Sequence, residues 1–262
     1  MAEIERESME YDVVIVGAGP AGLSAAIRLK QLDDSLDVVV LEKGSEVGAH
    51  ILSGAVLDPS GLDRLIPDWK DKGAPLNVPV KEDNFYVLGE AGQVRLPNFM
   101  MPPLMNNHGN YIVSMGNVCR WMAEQAEAMG VEIFPGMSCS EIVWGDNGEV
   151  KGVVAGVFGV EPDGSIGPNS EPGMELHGKY VFLSEGARGS LSKEVIAKFG
   201  LDKDCDVPKF GLGMKEIWEV KPENHNEGEV THTLGWPLGW SASGGSFVYH
   251  LDNNQVYVGY IV

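Results

Sequence analysis

Along this chain the apolar residues recur at two different periods, and the switches between them mark out the elements. Tyr11-Asp-Val-Val-Ile-Val16 is a nearly continuous apolar run, the mark of a strand buried on both faces in a parallel sheet. Leu23 to Leu29 follows with helical spacing, and Asp37-Val-Val-Val-Leu41 is a second buried run. Strand, helix and strand in that order predict a βαβ unit. Asp58 to Trp69 predicts a short helix, with Asp58 as N-cap, Pro59 at the first helical position, and Leu62, Leu65 and Ile66 on one face. Trp69 extends that stripe, which suits a core and also suits a segment lying at a membrane interface. Phe85–Leu88 and Gln93–Leu96, around Gly89-Glu-Ala-Gly92, predict a hairpin. Tyr111–Ser114 reads as a strand, Gly116–Met129 as a helix stopped by Gly130, and Val131–Phe134 as a strand back on the first sheet. Ser140–Trp144 and Val150–Val157 flank Asp146-Asn-Gly148, a second hairpin. Residues 161–173 are rich in Pro, Gly, Ser and Asn and predict an exposed loop. Tyr180–Ser184 is a strand that leads to a helix over Leu191–Phe199, closed by Gly200. From Val207 the pattern is all-β, with strands at Phe210–Val220, Val230–Leu234, Gly244–Leu251 and Gln255–Val262. The last of these runs to Val262 without a cap or polar tail, which reads as the front part of a longer protein.

The first strand-to-helix turn carries the chemistry. Gly17, Gly19 and Gly22 stand in G-x-G-x-x-G spacing, with Pro20 and Ala21 between. The first glycine permits the tight turn, the second admits a pyrophosphate to the backbone, and the third lets helix and strand pack closely. The helix N-terminus offers N–H groups and the positive end of its dipole to the phosphates. The motif alone also occurs in turns that bind nothing. Here a second apolar strand follows and ends in Glu42, 20 residues beyond Gly22, where an acid can accept hydrogen bonds from a ribose. An acid there favours a free ribose diol over a 2′-phosphate, hence FAD or NAD over NADP, and a motif so near the N-terminus favours FAD. Lys43 and the small-residue stretch with Gly48, Ser53 and Gly54 come next, and suit either a run along the cofactor or a flexible loop. A second Gly-rich turn, Glu185-Gly-Ala-Arg-Gly-Ser190, opens the later helix. Arg188 opposes that helix's dipole, so an anion such as a cofactor phosphate near Gly186 and Arg188 would explain it, as would simple solvation.

Composition narrows the function classes. The formal net charge of −19 argues against nucleic acid and against broad electrostatic attachment to an anionic membrane, though not against a local apolar patch. Such a patch is offered by Pro97-Asn-Phe-Met-Met-Pro-Pro-Leu-Met105, irregular because of its prolines yet apolar. It wants cover from the protein's own core, a lipid surface or a hydrophobic ligand. Cys119, Cys139 and Cys205 are three in number and share no C-x-x-C spacing, so they read as buried free thiols rather than disulfides or a metal site. Four glutamates and one arginine among the first ten residues form neither a signal nor a transit peptide, and no apolar run is long enough to cross a bilayer as a helix.

Residues 11–262 resemble the N-terminal half of the electron transfer flavoprotein–ubiquinone oxidoreductase family. The stretches that carry the resemblance are Gly48-Ala-His-Ile-Leu-Ser-Gly54, Ile66-Pro-Asp-Trp-Lys70, Met105-Asn-Asn-His-Gly-Asn-Tyr111, Trp121-Met-Ala-Glu-Gln-Ala-Glu127, Gly235-Trp-Pro-Leu238 and Gly244-Gly-Ser-Phe-Val-Tyr-His250. The resemblance implies an α/β fold: a Rossmann-like FAD-binding domain of the glutathione-reductase or aromatic-hydroxylase type, with an inserted β-rich ubiquinone-binding domain, truncated. The expected divisions are 1–80 for the FAD-binding βαβ and following segment, 81–110 for the hairpin and apolar loop, 111–205 for the rest of the FAD-binding domain, and 206–262 for the incomplete ubiquinone-binding domain. It implies FAD held by Gly17, Gly19, Pro20, Ala21, Gly22, Glu42, Lys43, Gly48, Ser53, Gly54, Gly186 and Arg188, and ubiquinone at Gly244 and Gly245. Glycine suits a flat quinone, because bare backbone can approach it and offer an N–H. Electrons would come from reduced electron transfer flavoprotein and leave to ubiquinone at a membrane surface, with residues 51–69 or the Met-rich loop in contact with lipid. The site would be the cytoplasmic face of a bacterial inner membrane, or the mitochondrial inner membrane in a eukaryote. Two departures stand out. Ser243 occupies a position where the family often has Tyr, with Trp240 three residues earlier, and the cysteines of the family's [4Fe–4S] cluster have no counterpart here, so the cluster is expected only in a longer parent protein. Other readings are a different flavin enzyme of this fold, such as a geranylgeranyl reductase or aromatic hydroxylase, and a non-catalytic FAD-binding fragment.

Overall fold

An apolar strand buried on both faces must lie inside a sheet, and the run ending at Val16 does so. The computed structural model describes residues 6–51, 54–160, 166–239 and 242–262. In chain order the elements are β1 (Ser8–Val16), α1 (Pro20–Leu32), β2 (Val38–Glu42), β3 (Ala55–Leu57), α2 (Ser60–Leu65), β4 (Val78–Pro79), β5 (Glu82–Gly89) and β6 (Gly92–Leu96). There follow β7 (Tyr111–Val113), α3 (Met115–Ala128), β8 (Glu132–Pro135), β9 (Cys139–Trp144), β10 (Val150–Val160) and β11 (Ile166–Leu183). The chain continues through α4 (Ser190–Phe199), β12 (Gly213–Glu219), β13 (Glu229–Gly235), β14 (Gly245–His250) and β15 (Gln255–Ile261).

The contacts gather the chain into two units, Met1–Ile51 with Cys119–Asp206, and Leu52–Val118 with Val207–Val262; the boundary passes through α3. The first unit is built on a six-stranded sheet ordered β8-β2-β1-β11-β10-β9. Its first four strands are parallel and β10 and β9 run antiparallel. β1 sits in the middle, with Val14 opposite both Val39 and Val181. Val14, Val39, Leu41, Val153, Leu176 and Leu191 are buried together, and the apolar runs are buried because β1 and β2 have neighbours on both edges.

The second unit holds a six-stranded sheet ordered β12-β15-β14-β13-β5-β6 and a three-stranded one ordered β3-β7-β4. Val78, Ile112, Val230, Phe247, Tyr249 and Tyr257 form its core, with Val56 against it. The expected divisions at 80 and 110 therefore differ from the observed grouping. β5 pairs in parallel with β13, from Glu82 opposite Glu229 to Leu88 opposite Gly235, which carries the 81–110 hairpin and its neighbours into the sheet of the C-terminal strands. Three shorter expectations also change. The helix expected over 58–69 is limited to Ser60–Leu65, with Asp58 Oδ1 accepting the Ser60 N–H at 2.9 Å. The loop expected over 161–173 is strand from Ile166 onward, because β10 offers it a partner edge, with Val157 opposite Pro172; residues 161–165 lie outside the described residues. The thiols are free, but only Cys119 is buried; Cys139 is half-buried and Cys205 exposed.

The stripe of α2 resolves as core. Leu62, Ile66 and Trp69 are buried, the Trp69 indole N–H donates to Asp63 Oδ1 at 2.7 Å, and its ring meets Tyr111 edge-on at 5.7 Å. The Met-rich stretch does the opposite. It forms two single 3₁₀ turns, Asn98–Met100 and Pro103–Met105, and leaves Phe99 87% and Leu104 99% exposed.

Two outcomes test this packing. Leu176→Ala removes a fully buried side chain from the first core and is expected to cost about 2–5 kcal/mol, read as a lower urea midpoint. Burial, aided by nearby Glu132 and Asp83 respectively, pushes the Tyr11 and Tyr249 hydroxyls up to about 12. A raised acid pKa in the folded state stabilises below the unfolded value near 10 and is lost as pH rises toward 12, so stability should fall across that window. Spectrophotometric titration should show these tyrosines ionising later than the exposed ones, and ionisation near 10 for all would refute their burial.

Candidate functional site

The turn from β1 into α1 uses its three glycines for different reasons. Gly17 has φ +104°, and a Cβ on it would lie 2.5 Å from the Ser184 carbonyl oxygen, where β11 ends beside β1. A Cβ on Gly22 would lie 2.0 Å from the Gly17 oxygen, so that glycine is required by helix–strand packing. A Cβ on Gly19, by contrast, would meet nothing within 4 Å. The protein's own packing does not demand glycine there, and open space over the backbone is what an approaching ligand needs. Pro20 opens α1, and the α1 N-terminus has no side-chain cap. Its amides and dipole therefore face outward beside Gly19, an arrangement that suits an anion. Pro20 and Ala21 are exposed and Gly22 is buried.

Glu42, at the end of β2, ties this turn to the next. Its Oε2 accepts the Ala18 N–H at 3.0 Å and its Oε1 accepts the Gly44 N–H at 2.7 Å. A carboxylate has further lone pairs, so these bonds orient the group and leave acceptor capacity for hydroxyls. Lys43 is exposed beside it, and Gly48 sits buried at φ +84° in the turn that follows. Ser53 lies outside the described residues. Gly54 belongs to the second unit, where a Cβ would fall 2.7 Å from Tyr257 Cγ, so the aromatic ring accounts for the glycine.

The turn before α4 holds a residue that the sequence reading passed over. Glu185 Oε2 accepts the Ser192 N–H and hydroxyl, both at 2.7 Å, and Oε1 accepts the Leu191 N–H at 3.3 Å. The same turn thus supplies a carboxylate of its own to this N-terminus. A carboxylate shortly before a helix start was the available signal. Gly186 is exposed at φ +79° with open space around it, and Arg188 is exposed in the same turn.

In the second unit, Gly244 and Gly245 open β14. A Cβ on Gly244 would meet the Ile261 oxygen at 2.2 Å, and one on Gly245 the Thr233 oxygen at 2.0 Å. Both glycines are demanded by close strand packing, a reason additional to ligand approach. Beside them Leu234 and Ile261 are exposed apolar side chains. Two residues along from Gly245, Phe247 stacks on Tyr249, whose hydroxyl lies 2.7 Å from His232 Nε2. Among the described residues, no group of three or more His, Cys, Asp or Glu side chains is placed to hold a metal ion, and no helix is long and apolar enough to cross a membrane. Burial pushes the Cys119 and Cys139 thiols up to about 11 and about 12.

Comparison with known proteins bears on both units. Residues 15–69 match the model of an NAD(P)-binding Rossmann-like domain, and residues 210–262 match the ubiquinone-binding domain of ETF-QO. Solved structures share the fold at low identity. They include a geranylgeranyl bacteriochlorophyll reductase-like protein from Thermoplasma acidophilum (TM-score 0.64, 16% identity, 97% of this chain and 57% of that one). Another is the myxobacterial FAD-dependent halogenase CndH (TM-score 0.65, 14% identity, 97% of this chain and 53% of that one). Curated relatives are much nearer in sequence. An electron transfer flavoprotein-ubiquinone oxidoreductase of Pseudomonas aeruginosa is 54% identical over 99% of this chain and 48% of its own length. The mitochondrial one of Dictyostelium discoideum is 55% identical over 98% of this chain and 43% of its own length, and the human one 49% over 96% and 41%. The chain spans about half the length, or somewhat less, of the curated relatives it matches, and over that span it is similar to the electron transfer flavoprotein–ubiquinone oxidoreductases.

Proposed function

We propose that this chain supplies the FAD-binding and ubiquinone-binding parts of a flavoenzyme that passes electrons from reduced electron transfer flavoprotein to ubiquinone. The observation that carries the reading is Gly19. It is open to solvent-side approach although its neighbours Gly17 and Gly22 are closed by packing, and it stands beside an uncapped helix N-terminus and an oriented carboxylate. Such a cradle fits the pyrophosphate and ribose of FAD. Gly17, Gly19, Pro20, Ala21 and Gly22 would line the pyrophosphate, and Glu42 the ribose, with Lys43 and Gly48 beside it. Gly186 and Arg188 are carried as further FAD contacts by the family resemblance. The isoalloxazine supplies the redox chemistry when bound, and the protein's residues bind and orient it.

The ubiquinone reading rests on the matched 210–262 segment and on Gly244 and Gly245 within it. The exposed Phe99, Met100 and Leu104 suit contact with lipid, through which a hydrophobic quinone would arrive, and the buried Leu62, Ile66 and Trp69 do not. Peripheral attachment to the cytoplasmic face of a bacterial membrane, or to the mitochondrial inner membrane in a eukaryote, follows from that reading. The [4Fe–4S] cluster that the family resemblance implies would be held by none of Cys119, Cys139 and Cys205.

Gly19→Val tests the cofactor reading cleanly. Gly19 has φ −80°, a backbone that valine accepts, and its Cβ would enter open space. The variant should fold with stability within about 1 kcal/mol of the parent, yet lose the flavin absorption bands that FAD gives the parent. Glu42→Ala should weaken FAD about ten- to hundredfold by titration, as expected for loss of charged hydrogen bonds. An unchanged FAD affinity in Gly19→Val would overturn the assignment of this turn.

A further inference from the structure

The six-stranded sheet of the second unit carries its core on one face, and cross-strand register orders that face in rows. One row holds Tyr257, Tyr249 and Val230, all buried. The next holds Gly259, Phe247 and His232. The third holds Ile261 opposite Gly245, with Leu234 beyond; a Cβ on Gly245 would lie 3.3 Å from Leu234 Cδ2. Ile261 and Leu234 are exposed, so this face passes from sealed core to an open apolar floor at the glycine. His232 stands at the transition. It is two residues from Leu234 on β13, about 7 Å along the strand from the glycine row.

His232 is also held. Its Nε2 is 2.7 Å from the Tyr249 hydroxyl, and the two rings meet edge-on at 5.4 Å. With the hydroxyl donating to Nε2, the neutral ring carries its proton on Nδ1. Burial holds His232 below the usual imidazole range and Tyr249 above the usual phenol range, so both are neutral at pH 7. The charged groups that face the pair are Asp83 from β5, which takes the Asn107 N–H and side-chain amide at 2.9 and 3.0 Å, and Lys215 from β12, over the Phe247 ring at 5.6 Å. Among the described residues, His232 is the one imidazole on this face; His250 lies on the other.

We infer that His232, fixed by Tyr249, donates a hydrogen bond to one carbonyl oxygen of the bound quinone and hands it a proton. The inference rests on the ubiquinone reading of Gly244 and Gly245. Reduction of the quinone adds two electrons and two protons and converts both C=O groups to C–OH. The electrons come from the reduced flavin of the proposed enzyme. His232 gives its Nδ1 proton to one oxygen while Nε2 takes the Tyr249 hydroxyl proton; once the product leaves, water protonates Nδ1 and the Nε2 proton returns to buried Tyr249. The second oxygen takes its proton from water. A relay of this kind needs a donor held in position, and the Tyr249 contact orients the His232 ring.

The test uses the 1–262 chain with ubiquinone-1 carrying ¹³C at its carbonyls. Infrared difference spectra of the parent should show one carbonyl band moved to lower wavenumber on binding. In His232→Leu that shift should vanish while the quinone dissociation constant changes less than about threefold. Tyr249→Phe, which removes only a hydroxyl, should leave a weakened shift, and it carries the test if His232→Leu does not fold. In FAD-loaded protein, oxidation of the reduced flavin by ubiquinone-1 should slow about 100-fold in His232→Leu, as for loss of an acid–base group, and added imidazole should restore part of it in His232→Ala. A bound quinone whose carbonyl bands are the same in parent and both variants would overturn the role of His232. A parent chain that binds no quinone would overturn the ubiquinone reading itself, and the relay with it.

Discussion

The first unit depends on the hydrogen-bonded position of β1 between β2 and β11. Parallel strands on both edges leave Val14 and Ile15 fully buried, and they fix where the strand must end. The Ser184 N–H donates to the Val16 oxygen at 2.8 Å and the Gly17 N–H to the Leu41 oxygen at 2.7 Å, so the turn is anchored from both neighbours at the point where the chain leaves the sheet. Everything the dinucleotide site offers is hung from that point. The open backbone at Gly19, the bare end of α1 and the carboxylate of Glu42 are brought together because three strands end at one level. This is the general reason that ligands sit beyond the carboxyl ends of parallel strands.

Local features of this architecture were legible in the sequence because they are local in physics. The βαβ unit could be read from Tyr11 to Glu42, since burial on both faces leaves an unbroken apolar run and helix packing leaves a 3.6-residue period. The hairpins at 85–96 and 140–157 were legible from their turn residues, and the C-terminal strands from alternation. Features set by long-range pairing were not. Nothing near Phe85 announces that its strand lies beside His232, so residues 55–113 could not be assigned to the C-terminal sheet. The packing reason for Gly54, the Tyr257 ring against it, is equally invisible along the chain. Glu185, which the strand-to-helix pattern did not single out, turns back to take the first N–H groups of α4.

The two sites differ in how much of their glycine content is owed to the fold. In the turn after β1 two glycines satisfy packing and the third, Gly19, has open space over it. At β14 both glycines satisfy packing, so the character of the apolar floor there comes from what surrounds them: Ile261 and Leu234 as apolar surface, and His232 with Tyr249 as the polar edge. The apolar exposure of Phe99 and Leu104 belongs to the same unit as that floor, whereas the acidic character of the chain as a whole would be repelled by anionic lipid. Attachment by a few apolar side chains escapes that repulsion, since it draws on burial rather than charge.

The pairing of β5 with β13 also has a consequence for biosynthesis. The strands pair from Glu82 opposite Glu229 to Leu88 opposite Gly235, yet most of the first unit is encoded between them. As the polypeptide emerges, the 82–96 hairpin is made early and its partner edge late. For that interval it presents an unpaired strand edge and the apolar Phe85, Val87 and Val94 to whatever is nearby. The first unit can close once β11 has been made, well before β13 exists. The order of synthesis thus places a finished first sheet on the chain while the sheet of the second unit is still half made, and leaves the hairpin edge open to a chaperone meanwhile.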